Sequence, residues 1–144
     1  MPEVNVPGFE DVDLSPPQLD PGEYTMNIYD KVQLRTAESS GKQYLEVPLK
    51  VVEGPEQQAP DPNTGETDAT GRTMNDRVYL SQAALWRLKA LLVASGLLAR
   101  DDKDSPMAQG NINTDMLTGT TVQVKLTPQM NNGREYRNVE YVIG

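Results

Sequence analysis

Tyr24-Thr25-Met26-Asn27-Ile28-Tyr29-Asp30-Lys31-Val32-Gln33-Leu34 is the stretch that decides the fold class. Its even positions are Tyr, Met, Ile, Asp, Val and Leu, while the odd ones are mostly polar. A period of two over that length predicts a long half-buried strand, because successive side chains of a strand point to opposite faces. Downstream, Leu45, Val47, Leu49 and Val51 form a second inward set, with Ser39-Ser40-Gly41 as the intervening turn. Pro48 cannot donate to a ladder, so an edge position or a bulge is expected there.

Met74, Val78 and Leu80 give a third strand. One helix follows: Ser81 suits an N-cap, Leu85, Leu88 and Leu92 make an apolar stripe, and Gly96 suits a left-handed stop. Val122, Val124 and Leu126 alternate with polar residues as a fourth strand. Asn131-Asn132-Gly133 then turns the chain into a fifth, with Val139, Tyr141 and Ile143 inward. This order predicts a mainly β fold: a five-stranded, OB-fold-like Greek-key barrel with one α-helix between strands 3 and 4. The helix is expected to plug one barrel end with its leucine stripe. Trp86, beside that stripe, is expected in the core.

The 144 residues make about one domain's worth of chain, and a 37% hydrophobic content with 11 glycines supports one modest core. With no cysteine, disulfides, thiolate metal sites and cysteine nucleophiles are excluded. With no histidine, the commonest general base and metal ligand is missing too. No enzyme and no cofactor are expected. Leu88 to Ala99, the longest apolar stretch, is interrupted by Lys89, Ser95 and Gly96 and falls short of the roughly 20 residues a membrane span needs. The start, Met1-Pro2-Glu3-Val4, shows no secretory pattern. The chain reads as a soluble intracellular protein with no membrane partner.

Net charge is -8, but it is unevenly spread. Residues 1–23 carry -6 and residues 53–68 carry -5, with no base in either, so the remainder is +3. Residues 1–20 therefore read as an acidic, Pro-rich N-terminal arm, and residues 21–144 as the OB-fold-like domain with a long acidic loop at 53–71. The arm is expected to be a solvated tail, a competitor for the basic body, or a dock for another protein. Within the loop, Asp61, Asn63 and Gly65 imitate the start of a calcium loop, yet the twelfth position is Arg72 rather than a bidentate Glu, so no metal is expected.

Several short motifs fall in a telling order: Pro21-Gly22-Glu23-Tyr24, Val51-Val52-Glu53-Gly54, Leu85-Trp86-Arg87-Leu88, Ser95-Gly96-Leu97 and Leu117-Thr118-Gly119. Over roughly Pro21 to the C-terminus the chain resembles a family of phage and prophage proteins described as single-stranded DNA-binding or OB-fold proteins. The resemblance implies support of phage DNA replication or recombination in the host cytoplasm. It supplies no family-defined binding residues.

Binding a single strand needs cations for phosphates and aromatic faces for bases. Tyr44 and Lys50 on the second strand, with Lys42 just before it, supply both. So do Arg72, Arg77 and Tyr79 on and beside the third, and Lys125, Arg134, Tyr136 and Arg137 on the last two and their hairpin. Arg137 shares parity with Val139 and is the weakest member of the set. Ordinary solvated strand faces also carry tyrosine, lysine and arginine, so a plain solvated face is the competing reading of the same residues. The expected function is sequence-tolerant single-stranded DNA binding, with replication or recombination proteins as possible partners of the arm and homo-oligomers possible through open strand edges. A virion structural protein whose arm contacts neighbouring subunits is the alternative, and a carboxylate-based nuclease ranks below it.

Overall fold

The computed structural model describes the chain except for residues 1–2, 6, 8–17, 63, 132 and 144 and the side chains of Asn131 and Arg134. Six strands are present: β1 (Gly22–Ile28), β2 (Gln33–Thr36), β3 (Gln43–Glu53), β4 (Thr73–Tyr79), β5 (Thr121–Asn131) and β6 (Arg134–Tyr141). The helix, α1 (Leu85–Ala94), lies between β4 and β5, and short 3-10 turns occupy Gln82–Ala84 and Thr114–Met116. All strand pairs are antiparallel. The fold is mainly β with a single sheet and one α-helix. It corrects the expected five-strand closed barrel in two respects: there are six strands, and the sheet is open.

The sixth strand comes from a break in the opening stretch. Tyr24, Met26 and Ile28 are buried as expected, but the four residues of β2 are all exposed, and Leu34 is 58% exposed. Asp30 sits on the inward parity, where a carboxylate has no apolar place. Its side chain instead accepts from the Lys31 N–H at 2.8 Å, bending the chain out of the strand. Both pieces then lie along the same edge of β3. β2 pairs from Gln43 to Glu46 and β1 from Leu49 to Glu53, leaving Val47 and Pro48 unpaired on that edge. Pro48 thus meets the interruption expected of it on one side and pairs in register with Asn75 of β4 on the other.

The backbone order is β4-β3-β1-β5-β6, with β2 beside β3. β4 and β6 end that order and share no backbone ladder, yet side chains join them. The Tyr141 hydroxyl donates to Asp76 Oδ2 at 2.6 Å, and Arg87 Nη2 of α1 donates to the same oxygen at 2.8 Å. Arg87 also donates to the carbonyls of Arg77 and Val139, both at 2.9 Å. The sheet therefore curls until its two terminal strands face one another across a seam, which α1 clasps. Leu88, Leu91 and Leu92 of α1 are buried against the inner sheet face, made by Tyr24, Met26, Ile28, Leu45, Val47, Leu49, Val51, Val78, Val122, Val124 and Leu126.

Smaller corrections have local causes. Ser81 precedes a 3-10 turn and makes no side-chain cap, while α1 itself starts at Leu85. Gly96 stops the helix as expected, at φ +82°. β6 ends at Tyr141, so Ile143 is 39% exposed rather than inward. Trp86 is 66% exposed, not core. At about 100° per residue it lies some 160° round the helix from Leu88, on the opposite side.

The long loop is tied down. Gln57 is buried, donates to the Tyr24 hydroxyl at 2.8 Å and accepts from the Asp20 N–H at 2.7 Å, while Tyr24 donates to the Asp20 carbonyl at 2.6 Å. Burial raises the Tyr24 pKa above its ordinary value. A β-carbon at Gly54 would lie 2.4 Å from the Tyr24 ring, so the loop can leave β3 over that ring only as glycine. No described helix is long and apolar enough to cross a membrane.

Candidate nucleic-acid interface

β3 presents Leu45, Val47, Leu49 and Val51 to the core, so Tyr44, Glu46, Pro48 and Lys50 share its outer face. β4 pairs with it so that Tyr79 lies opposite Tyr44 and Arg77 opposite Glu46. The Tyr44 and Tyr79 ring centroids are 5.3 Å apart with planes tilted by 47°. The Arg77 guanidinium stands 4.8 Å from the Tyr44 ring centroid, a cation–π distance. The hydrogen-bonding Tyr79 side chain raises the Arg77 pKa above its ordinary value, opposed by slight burial and aided by the nearby Glu46 charge. Arg77 is exposed, Tyr79 half-buried, and Tyr44 only 6% exposed. Tyr44 is thus the floor of the cluster rather than a free platform, a correction to the expectation that it offers its face to a base.

Around this cluster the surface is concave. A polar groove of about 640 Å³ runs between Arg77, Tyr44 and the end of β2 with the turn after it, Leu34–Ser39, where Glu38 adds one carboxylate. Arg35 borders it and is ion-paired with Glu46, so that cation is partly neutralised. Beyond Pro48, a smaller hollow is lined by Tyr29, Lys31, Gln33 and Asn75, with the carboxylates of Asp30 and Glu46 and the Arg35 guanidinium also at its wall. Exposed Lys50 holds its ammonium 5.8 Å from the Tyr29 ring centroid, a second cation beside a second aromatic. Tyr29 was missed by sequence reasoning because it stood in the polar phase of a strand that in fact ends one residue earlier. Lys42 is exposed on the turn before β3, in a hollow shared with Thr36, Gln43 and Leu80.

The remaining candidates lie elsewhere. Arg72 is 9% exposed, and its guanidinium reaches the Ala59 carbonyl at 3.4 Å inside the long loop, so it is a packing residue and not a surface cation. Lys125 is exposed on β5, in register between Glu23 of β1 and Glu140 of β6. Arg137 Nε donates to the Leu19 carbonyl at 2.6 Å, and Nη1 lies 3.1 Å from Glu135 Oε1, an ion pair off hydrogen-bond alignment. Gln18 donates to the Glu135 carbonyl at 2.7 Å. Residues 18–19 of the arm are thereby fastened along β6, and Tyr136 borders the 310 Å³ hollow they leave against Arg72, Thr73, Met74 and Asn75 of the facing segment. The Arg134 side chain lies outside the described residues.

Of ten expected site residues, the structure brings Tyr44, Arg77 and Tyr79 into contact and places Lys50 on the same strand face. Arg72 and Arg137 are diverted to internal duties. Sequence reasoning missed the Asp76–Arg87–Tyr141 clasp, although Asp76 on the inward parity between Met74 and Val78 signals a buried carboxylate in need of a partner. Among the described residues no three carboxylates gather as a metal site.

Comparison with curated proteins returns no match. The family described as "Protein of unknown function (DUF669)" matches residues 10–143, nearly the whole chain including every strand and α1. By that match the chain belongs to the DUF669 family.

Proposed function

We propose that this protein binds single-stranded DNA with little sequence preference on the outer face of β3 and β4, in support of phage DNA replication or recombination. One observation carries the reading: Arg77 lies over Tyr44 and beside Tyr79, at the mouth of an open polar groove. The exposed guanidinium offers a flat cationic face to a base and N–H donors to a phosphate at once. Tyr79 supplies a second, half-buried ring, and Tyr44 supports both from below. Lys50 beside Tyr29 and Lys42 on the adjoining turn extend the same chemistry along the strand. None of these groups reads a base edge, so sequence tolerance follows.

The curled sheet adds to this reading. We take it as an OB-like cylinder unzipped between its third and last principal strands, with α1 and its clasp in place of the missing ladder. In OB-folds the second and third strands form the oligonucleotide face, and those correspond here to β3 and β4. The phage setting rests on the sequence resemblance. The reading assigns no chemical step to the chain.

Fluorescence polarisation with oligo-dT and with duplex DNA at two salt concentrations tests it. Oligo-dT should bind more tightly than duplex, and the affinity should fall steeply as salt rises, since each neutralised phosphate releases counterions. Arg77→Ala should weaken oligo-dT binding by about 1–2 kcal/mol and flatten the log–log salt slope by about one. No binding, or equal binding of both DNAs unaffected by salt, refutes the proposal.

A further inference from the structure

The helix surface opposite the core raises a separate question, because it exposes the chain's one tryptophan at 66%. The Trp86 indole makes no hydrogen bond with any described residue, and its ring contributes nothing to the leucine stripe. With Ala90, Val93, Tyr141 and Ile143 it lines a largely apolar hollow of about 400 Å³. Ile143 is itself 39% exposed. Large exposed aromatics in a concave apolar setting are the residues on which protein interfaces concentrate their binding energy.

The charges at the rim choose the partner. Lys89 and Arg100 are exposed, border the hollow, and have no ion-pair partner among the described residues. Glu140 is the acid in the lining, and Lys125 lies opposite it in register on β5. α1 carries no acidic residue. The lining therefore carries one net positive charge, two cations against Glu140, on a chain of net charge -8. Its hollow suits an apolar side chain, since most of its lining is apolar.

We infer that the Trp86 face docks an acidic segment of a partner protein, with one apolar side chain of that segment seated against Trp86 and its carboxylates on Lys89 and Arg100. The site shares no residue with the Tyr44–Arg77–Tyr79 groove and stands whether or not that groove binds DNA. A protein that used both would hold a nucleic acid on one face and an acidic protein segment on another.

The test uses the full chain and a fluorescein-labelled synthetic peptide of alternating Asp and Leu ending in Phe, beside a counterpart with Lys for Asp. The acidic peptide should bind and shift the Trp86 emission to the blue, and the Lys peptide should not. Trp86→Ala, which removes an exposed side chain and should leave the melting temperature unchanged, should weaken the acidic peptide by about tenfold or more. Lys89→Glu combined with Arg100→Glu should invert the preference between the two peptides. Four results would each overturn the inference: absence of binding, equal binding of both peptides, binding undiminished in Trp86→Ala, or a Trp86 emission shift produced instead by oligo-dT. A fifth is an emission change on dilution that tracks a change of molecular mass, which would assign the face to a second copy of the chain.

Discussion

The outer face of β3–β4 and the β5–β6 hairpin carry nearly the same residue types, basic side chains interleaved with tyrosines, and the fold treats them in opposite ways. On β3–β4, Arg77 lies over one tyrosine and beside another, and Lys50 adjoins a third at Tyr29. On β5–β6, Lys125 stands in register between two glutamates, and Arg137 is committed to the Leu19 carbonyl and Glu135. A cation is available to a ligand where aromatic rings support it and any facing carboxylate is already engaged, as Glu46 opposite Arg77 is by Arg35. Where a carboxylate not so engaged, or an orphaned carbonyl, lies within reach, the same side chain becomes part of the scaffold.

The two halves meet at the clasp, so cutting it should have the largest effect. Asp76 is 8% exposed and accepts from both Tyr141 and Arg87. Asp76→Ala leaves the Arg87 charge in a mostly buried place without its counter-ion, which should cost about 3–5 kcal/mol in urea denaturation. A loss below about 1 kcal/mol would mean that the seam is solvated and the halves are joined elsewhere.

Tyr141→Phe is milder, because Arg87 still satisfies Asp76. It should cost about 1–2 kcal/mol near neutral pH. Burial, with the Asp76 charge second, holds the Tyr141 hydroxyl well above its ordinary value near 10. The folded form therefore keeps a proton that the unfolded chain releases above about pH 10. Stability is fully present below that pH and falls as pH rises through it. In Tyr141→Phe this share of the alkaline loss should vanish, leaving the smaller share of Tyr24. An unchanged alkaline limb of the stability–pH curve would remove Tyr141 from the clasp.

The comparison between halves is sharpest in one pair of variants. Arg137→Ala deletes the bond to Leu19 and should lower stability by about 1 kcal/mol while leaving oligo-dT affinity and its salt slope alone. Arg77→Ala should do the reverse, weakening binding at unchanged melting temperature. If Arg137→Ala lowers the salt slope as much as Arg77→Ala does, the hairpin belongs to the interface and the division drawn between the halves fails.

Much of the sheet was legible because alternation is a local signal that burial enforces. Tyr24, Met26 and Ile28, then Leu45, Val47, Leu49 and Val51, and Val122, Val124 and Leu126 all point inward as their parity requires. The break after Ile28 was announced by Asp30 on the inward parity, a conflict within the pattern rather than a silence in it. The arm and the clasp were not legible in the same way. Both depend on which side chain meets which carbonyl across many residues of sequence, as Arg137 meets Leu19 and Arg87 meets Val139. Trp86 was misplaced by residue type, although its angle from the leucine stripe already put it outside. For the site, parity delivered Tyr44, Arg77 and Tyr79 to one face, but only cross-strand register showed that they touch.

Lys125 and Lys50 give the smallest effect and the finest test. Both are exposed lysines on an outward phase of the sheet, and their intrinsic chemistry is identical. Lys125 faces Glu23 and Glu140 in register, whereas Lys50 faces Asn27 and Thr73 and adjoins the Tyr29 ring. A phosphate approaching Lys125 must compete with two carboxylates already holding the local potential down, while at Lys50 it meets a cation with no register-paired acid. Lys50→Ala should thus reduce the salt slope of oligo-dT binding by about one. Lys125→Ala should change neither the slope nor the melting temperature beyond about 0.5 kcal/mol. Equal slopes for the two variants would show that the strand is held by the summed field of the +3 body rather than by placed cations, and register would lose its authority over the interface.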